Sequence, residues 1–483
     1  MKMPFNATRR QVLGTILVMT GTFVAAMDVS VIGTAMPTVI GELGGIDRYG
    51  WVFSAYLLTS TATTPLFGRL ADMFGRKPLY FGALITFVAF SMLAGTSRSM
   101  DELIVYRALQ GVGAGALVPT GFTMIADLYD RRTRAKVVGL FSTVWVISAI
   151  IGPVIGAAIT QTISWRWTFY VNLPIGLAAL ALLVLTFSDT GEHHRQRIDW
   201  LGAAAFTAAA TLLMLGLNGV APVATVPLAL VLAALFVRIE RATDAPMIDV
   251  ALVRQPLIAA TIALTLASGV IQFGVISYLP PFVQGVLGGQ PAEAGLALAA
   301  MTIGWSAGAT VVGWVLFRIG LRTVVLAGSV ALSLGILWLT LLTVDSAFLL
   351  VLAASTVVGI GMGWTSMPVF VTAQTSVGYA QRGAVTSLIQ FARTLGGAAG
   401  VAALGSVLNT RLGPFAQEAS VLLDPRPGAD LAAGAPMRAA LADGLHWVYV
   451  GMLVVAVVAI ALARRLPAEM PEEAQRTEIA AAG

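Results

Sequence analysis

Apolar residues fall along this chain in long blocks, separated by short joints that hold most of the charges. A helix needs about 20 apolar residues to cross a bilayer, whereas a strand of a closed β-barrel would show alternating segments of about 10. Read this way, the pattern predicts helices near 11–38, 51–69, 79–97, 101–128, 135–161, 165–187, 199–218, 223–241, 256–284, 292–317, 322–343, 346–375, 382–411 and 445–465, fourteen in all. The distribution of Lys and Arg tests that count, because alternate joints should carry the positive charge. One set of joints holds twenty-one of the 29 Lys and Arg, including Lys2, Arg9, Arg10, Arg69, Arg131, Arg132, Arg134 and Lys136. The opposite set holds only Arg48, Arg98, Arg166, Arg411, Arg426 and Arg438, the last two in a long outer loop at about 412–444 and Arg411 at its edge. One miscounted helix would swap the side of everything after it. The asymmetry therefore supports fourteen spans with both termini cytoplasmic.

Composition narrows the function. Hydrophobic residues make up 57% and charged residues 11%, against about 25% charged in a soluble domain. With no cysteine, disulfides, thiolate metal sites and cysteine nucleophiles are excluded. The three histidines, His193, His194 and His446, form no ligand-like cluster, so no metal or other cofactor is expected. The net charge of +5 reads as membrane topology and not as a nucleic-acid surface. The first apolar block continues past Asp28 to Pro37 and reads as a retained helix, not a signal peptide. No G-x-x-x-x-G-K-[ST] loop is present and no joint is large enough for an ATPase domain, which leaves an ion gradient as the energy source. A membrane enzyme should cluster His, Asp or Glu at one face, and the chain does not, so it reads as no enzyme.

An internal repeat accounts for the span count. Gly68 and Gly75 stand seven apart in the second joint, followed by Lys77; Gly313 and Gly320 repeat the spacing, followed by Arg322. Gly111, Gly113 and Gly115 in the fourth span recur as Gly359, Gly361 and Gly363 in the twelfth. These matches predict a six-helix bundle over 1–190, two inserted helices over 191–250, a second six-helix bundle over 251–470 and a disordered tail over 471–483. Repeats around a midplane site are the architecture of alternating access.

The stretch from Gly68 to Pro78 resembles the cytoplasmic signature of the major facilitator superfamily, with Asp72, Gly75, Arg76 and Lys77 in place and Met73 where a basic residue is common. Gly152-Pro153 followed by Gly156 resembles the glycine-proline motif of antiporters, with Ala157 replacing a second glycine. Arg107-Ala108-Leu109-Gln110-Gly111 is similar to the family's buried-arginine motif. The runs Met27 to Pro37 and Trp165 to Pro174 are similar to patterns of the fourteen-span drug/proton antiporter branch. The resemblance implies an all-α membrane protein with the major-facilitator fold. It further implies a monomeric, proton-coupled exporter of small lipophilic compounds such as drugs, antibiotics or toxic metabolites, in the bacterial inner membrane. That proton and not sodium is the driving ion comes from the resemblance. A narrow exporter of an endogenous metabolite or lipid, and a proton-coupled nutrient symporter, are the alternatives.

Asp28 is the one carboxylate well inside an apolar span. An ionisable group there costs on the order of 3 kcal/mol on insertion scales and marks a functional site by default. Burial penalises its charged form, so proton exchange is the chemistry it offers. Arg107 carries the same cost at a similar depth, and the two form either a proton carrier with its modulator, acting directly or through a water or a neighbour such as Gln110, or a structural ion pair. Gly68, Asp72, Gly75, Arg76 and Lys77 either latch the cytoplasmic face, with Asp127 and Asp130 as partners, or only set topology. Gly152, Pro153 and Gly156 form either a seam between the halves or a packing kink. Gln272, Trp305, Met362, Trp364, Met367, Gln390 and Arg393 are candidates by residue type for an apolar substrate cavity.

Overall fold

The computed structural model describes residues 8–129, 131–186, 200–217, 219–243, 250–377, 381–416 and 435–468. It contains helices throughout and no strand among those residues. The long helices are α1 (Arg9–Leu43), α2 (Tyr49–Phe74), α3 (Arg76–Gly95), α4 (Met100–Leu128), α5 (Arg131–Thr162), α6 (Asn172–Thr186), α7 (Trp200–Leu217), α8 (Pro222–Ala242), α9 (Pro256–Pro281), α10 (Pro291–Ile319), α11 (Leu321–Thr340), α12 (Phe348–Thr375), α13 (Arg382–Leu412) and α14 (Ala435–Ala463). Eleven segments of the described residues are long and apolar enough to cross a membrane; α2, α5 and the short apolar α7 lie outside that set.

Several boundaries differ from the hydropathy reading for identifiable reasons. α1 runs through Pro37 to Leu43, because a proline inside a packed membrane helix forfeits one backbone bond without ending it. α2 continues to Phe74 through Arg69 and Asp72, whose charges read as a joint. α14 starts at Ala435, ten residues early, because Arg438 is accommodated within the helix by donating to the carbonyls of Val286 and Val344. The expected span at 165–187 is broken: a single turn, Trp167–Tyr170, precedes α6. The 471–483 segment and the whole 187–199 joint lie outside the described residues.

The packing repeats. α1 packs on α4, α5 and α6, α4 on α2 and α3, and α3 on α6. In the second half α9 packs on α12, α13 and α14, α12 on α10 and α11, and α11 on α14, the same pairing at matching positions. Glycines set both registers. A Cβ on Gly111 or Gly115 would strike the α2 carbonyls of Tyr56 and Ser60, and one on Gly113 would strike α3 at Ala83 and Phe87. Correspondingly, Gly359 and Gly363 lie against α10 at Met301 and Trp305, and Gly361 lies against Leu332 of α11. Small residues let membrane helices approach to backbone contact where no hydrophobic effect draws them together.

Gly75 and Gly320, the second members of the repeated pairs, both link consecutive helices with positive φ, 91° and 82°. Of the first members, Gly313 faces open space, so close approach is not its role. Gly75→Ala and Gly320→Ala are each expected to cost roughly 1–3 kcal/mol, because positive φ with ψ near 152° and 159° is open essentially to glycine alone, read as a lowered melting temperature in detergent.

The halves meet along two related seams, α2 with α13 and α5 with α10, and at α1 with α9. α7 and α8 form a hairpin on the α2–α13 seam: α7 packs on α2 and α13, and Phe206 meets Phe236 of α8 and Phe391 of α13 at 5.4 and 5.2 Å between ring centroids.

Candidate functional site

Asp28 lies fifteen residues before the end of α1, and its side chain is wholly enclosed. From α4, Arg107 and Gln110 project together, since residues three apart share a helix face. Arg107 donates Nη1 to Asp28 Oδ2 at 2.5 Å and to Gln110 Oε1 at 2.7 Å, while Gln110 Nε2 donates to Asp28 Oδ1 at 2.9 Å. The guanidinium rests 4.1 Å from the centre of the Tyr56 ring of α2, a cation–π contact. Asn172, the first residue of α6, donates Nδ2 to Asp28 Oδ1 and to Ser91 Oγ of α3, both at 2.9 Å. Ser91 in turn donates to the Phe169 carbonyl at 2.9 Å. Asp28, Arg107, Gln110, Asn172 and Ser91 are each at most 1% exposed.

The expected pair is therefore a direct contact, with Gln110 as a second link and not a bridge. All three groups that touch the carboxylate are donors. An ionised carboxylate can only accept, so this arrangement suits it; a protonated one presents an O–H. A proton on Asp28 thus meets no acceptor until a neighbour turns, and protonation must rearrange the site.

Ser91 and Asn172 carried no individual role in the sequence, although Asn172 sits in the Trp165–Pro174 run. Their signal was polarity inside apolar helices, which many unremarkable serines share. The same run holds α1 at a second height: Trp165 Nε1 and Arg166 Nη1 donate to the two oxygens of Glu42, each at 2.6 Å.

Of the second-joint residues, Gly75 forms the turn between α2 and α3, and Arg76 donates to the Thr123 carbonyl of α4 at 3.0 Å. Lys77 lies half-buried in the first turn of α3. Gly68 is helical within α2, and the side chains of Asp72 and Asp127, together with Asp130, lie outside the described residues, as does the latch expected from them.

In α5 the motif divides its work. Gly152 and Gly156 face α1, where a Cβ would meet Ser30 and Val31, whereas the Pro153 carbonyl and Ala157 face Gly295 of α10 across the seam.

The expected cavity residues scatter. Arg393 Nη2 donates to Gln390 Oε1 at 2.7 Å on α13. The Arg393 backbone crosses Gly269 of α9, one turn before Gln272, whose Oε1 is buried without a hydrogen-bond partner. Met362 is fully buried in the core, and Trp305 packs against that core. Trp364 fits between Gly308 of α10 and Gly328 of α11, and Met367 is 44% exposed. A separate cavity of about 200 Å³ lies among Val283, Leu287, Glu293, Val344, Asp345 and Phe348, at the end of the second half, and holds none of these candidates. It is below the roughly 300 Å³ of a small-molecule site.

Hydrogen bonds between the halves gather at the end where α1 gives way to α2. Tyr49 donates to the Ser277 carbonyl and Asn409 to the Asp47 carbonyl; Ser54 donates to the Ala398 carbonyl at 3.3 Å, and Gln284 to the Thr34 carbonyl at 3.3 Å. Gln284 belongs to a π-helical turn, Phe282–Val286, that follows Pro280 and Pro281.

Two helical bundles of matching internal packing, with an enclosed acid–base pair in one of them, define a polytopic helical membrane protein. Residues 18–401 match the family model described as Major Facilitator Superfamily, and the chain belongs to that family. It is similar to Multidrug resistance protein 3 of Bacillus subtilis (strain 168), 33% identical over 83% of this chain and 80% of the relative. Multidrug transporter protein MdtP of the same strain is 32% identical over 81% of this chain and 74% of that one. The structure is also similar to a bacterial homolog of the human lysosomal transporter Spinster, in an inward-facing, unoccupied conformation (TM-score 0.68, 15% identity, covering 95% of this chain and 97% of that chain).

Proposed function

We propose that this protein is a proton-coupled exporter of small lipophilic compounds, drugs and toxic metabolites among them, in the bacterial cytoplasmic membrane. The observation that carries the proton-coupled reading is the enclosed Asp28, held by three donors and no acceptor. The export reading rests on the two Bacillus relatives, both named for multidrug transport or resistance. Fourteen crossings, both termini cytoplasmic, agree with the alternation of basic joints. Bundles over 1–190 and 251–470, with 191–250 inserted, form the monomeric transport unit.

In this reading the end at which Tyr49, Gln284 and Asn409 join the halves faces outward and is closed. Asp28 takes a proton from outside when that end opens and releases it inside, with substrate carried the other way. Arg107 retains Gln110 Oε1 and the Tyr56 ring when Asp28 becomes neutral, so its charge is never left without a partner. The turn at Gly75 and the α5 seam at Pro153 supply the moving joints, Gly68, Asp72, Arg76 and Lys77 the cytoplasmic latch, and Gln272, Gln390 and Arg393 the polar contacts to substrate. The proton gradient is the energy source, and no cofactor is required.

The test is ethidium efflux from a pump-deficient bacterium, with and without an uncoupler, beside Asp28→Asn at matched abundance. Efflux that stops with the uncoupler and falls at least tenfold in Asp28→Asn is the expected result. Undiminished gradient-driven efflux by Asp28→Asn removes the carboxylate from the mechanism. No efflux from folded wild-type protein points to a narrow endogenous substrate.

A further inference from the structure

The donor cage around Asp28 leaves open which neighbour supplies the acceptor that a proton needs. Arg107 has no acceptor atom. The Gln110 carbonyl is already taken by Arg107 Nη1. Asn172 differs: its Nδ2 serves Asp28 and Ser91, while its Oδ1 is buried and has no hydrogen-bond partner. An unpaired buried amide carbonyl costs about 1–3 kcal/mol, so it is an acceptor held in reserve at a standing penalty.

The orientation of that amide is fixed by its partners. Ser91 gives its hydrogen to the Phe169 carbonyl, so Ser91 Oγ can only accept from Asn172, and ionised Asp28 can only accept as well. Both neighbours therefore demand the NH₂ side in this state.

We infer that Asn172 is the positioning residue that turns when Asp28 takes up its proton, exchanging the NH₂ it now presents for its unpartnered carbonyl. The inference rests on Asp28 as the proton carrier. In the turned state the Asp28 O–H donates to Asn172 Oδ1. Ser91 no longer receives a donor from Asn172, and its own hydrogen is free to leave the Phe169 carbonyl for the same Oδ1. Phe169 lies in the short turn Trp167–Tyr170, directly after Trp165 and Arg166, which grip Glu42 near the outer end of α1. One proton at Asp28 is thereby transmitted through two side chains to the segment that holds α1 at a second height. Among the described residues, the titratable groups facing Asp28 are Arg107 of α4 and, beneath it, Tyr56 of α2; α3 contributes Ser91, α5 contributes Gly152 against Met27 and Ser30, and α6 contributes Asn172, all uncharged.

Infrared difference spectroscopy on the purified full-length protein in lipid, titrated from pH 4 to 10, tests this with the proton itself as probe. The carboxylic C=O band that Asp28→Asn removes reports Asp28, and an amide C=O band that Asn172→Leu removes reports Asn172. The expected result is that the two bands change with one pH midpoint in the wild type. In Asn172→Leu, which deletes both the donor to the ionised form and the acceptor for the protonated one, the Asp28 O–H loses its acceptor and the Asp28 C=O band is expected to move to higher frequency. Ser91→Ala leaves Asn172 in place but removes the acceptor that holds its NH₂ side forward, and the Asp28 midpoint is expected to rise by about one pH unit, tenfold in proton affinity. An Asp28 midpoint unchanged in Ser91→Ala, or an Asp28 C=O band unmoved in Asn172→Leu, overturns the inference while leaving the proton carrier intact. If Asn172→Leu cannot be recovered folded, an unmoved midpoint in Ser91→Ala overturns it alone. Absence of any Asp28 band across the range overturns the carrier itself, and this inference with it.

Discussion

Arg107→Met is expected to destabilise the folded protein by on the order of 3–5 kcal/mol, the cost of stranding one member of a buried ion pair. Asp28 would keep the amides of Gln110 and Asn172 but lose the only positive charge that touches it. The double variant Asp28→Asn, Arg107→Met should recover much of the loss, because an uncharged amide leaves no unpaired ion. Thermal melts in detergent of the wild type, both single variants and the double variant close the cycle. A double variant no more stable than Arg107→Met would mean that the two residues do not act as a pair. Efflux should be absent in all three variants whatever their stability, which separates the energetic role of the pair from its transport role.

The second large effect is steric. Gly359→Val should prevent α12 from settling on α10, because its side chain would be driven into the Met301 carbonyl and the backbone at Trp305. Overpacking a core costs typically 1–3 kcal/mol when side chains can shift; here the obstacle is main chain, and the folded form should not accumulate. Gly313 provides the control, since it is also helical and glycine but faces open space. Gly313→Ala should be neutral, or stabilising by up to about 1 kcal/mol through helix propensity. Size-exclusion profiles of fluorescently tagged protein distinguish the two. A monodisperse peak of wild-type height from Gly359→Val would show that the helices do not touch at that point.

Much of this architecture was legible because hydrocarbon is an unforgiving solvent. Apolar blocks announced the helices, and the repeated glycines anticipated matching contacts in each half, with Gly111 and Gly359 both against the second helix of their half and Gly113 and Gly361 both against the third. Helix ends were less legible, since Pro37 and Arg438 look like terminators but are absorbed by packing and by carbonyl acceptors. At the site, charge made Asp28 and Arg107 conspicuous, while the uncharged members of the cage were not. Ser91 and Asn172 matter through the direction of their hydrogen bonds, and direction is a property of three dimensions. The cavity residues were chosen by type alone, and type does not say that Trp364 wedges between two helices while Met367 is largely exposed.

The glycine contacts within each half have a mechanical consequence. Side chains between helices act as a compliant layer that can change rotamer and absorb a displacement. Where Gly111, Gly113 and Gly115 bring α4 into main-chain contact with α2 and α3, and Gly359, Gly361 and Gly363 do the same for α12, that layer is missing. Each bundle is stiff along its fourth helix, and in the first half that helix carries Arg107. A shift of a fraction of an ångström at the ion pair has little slack in which to dissipate, so the bundle behaves as a rigid arm that delivers the movement at its far edge.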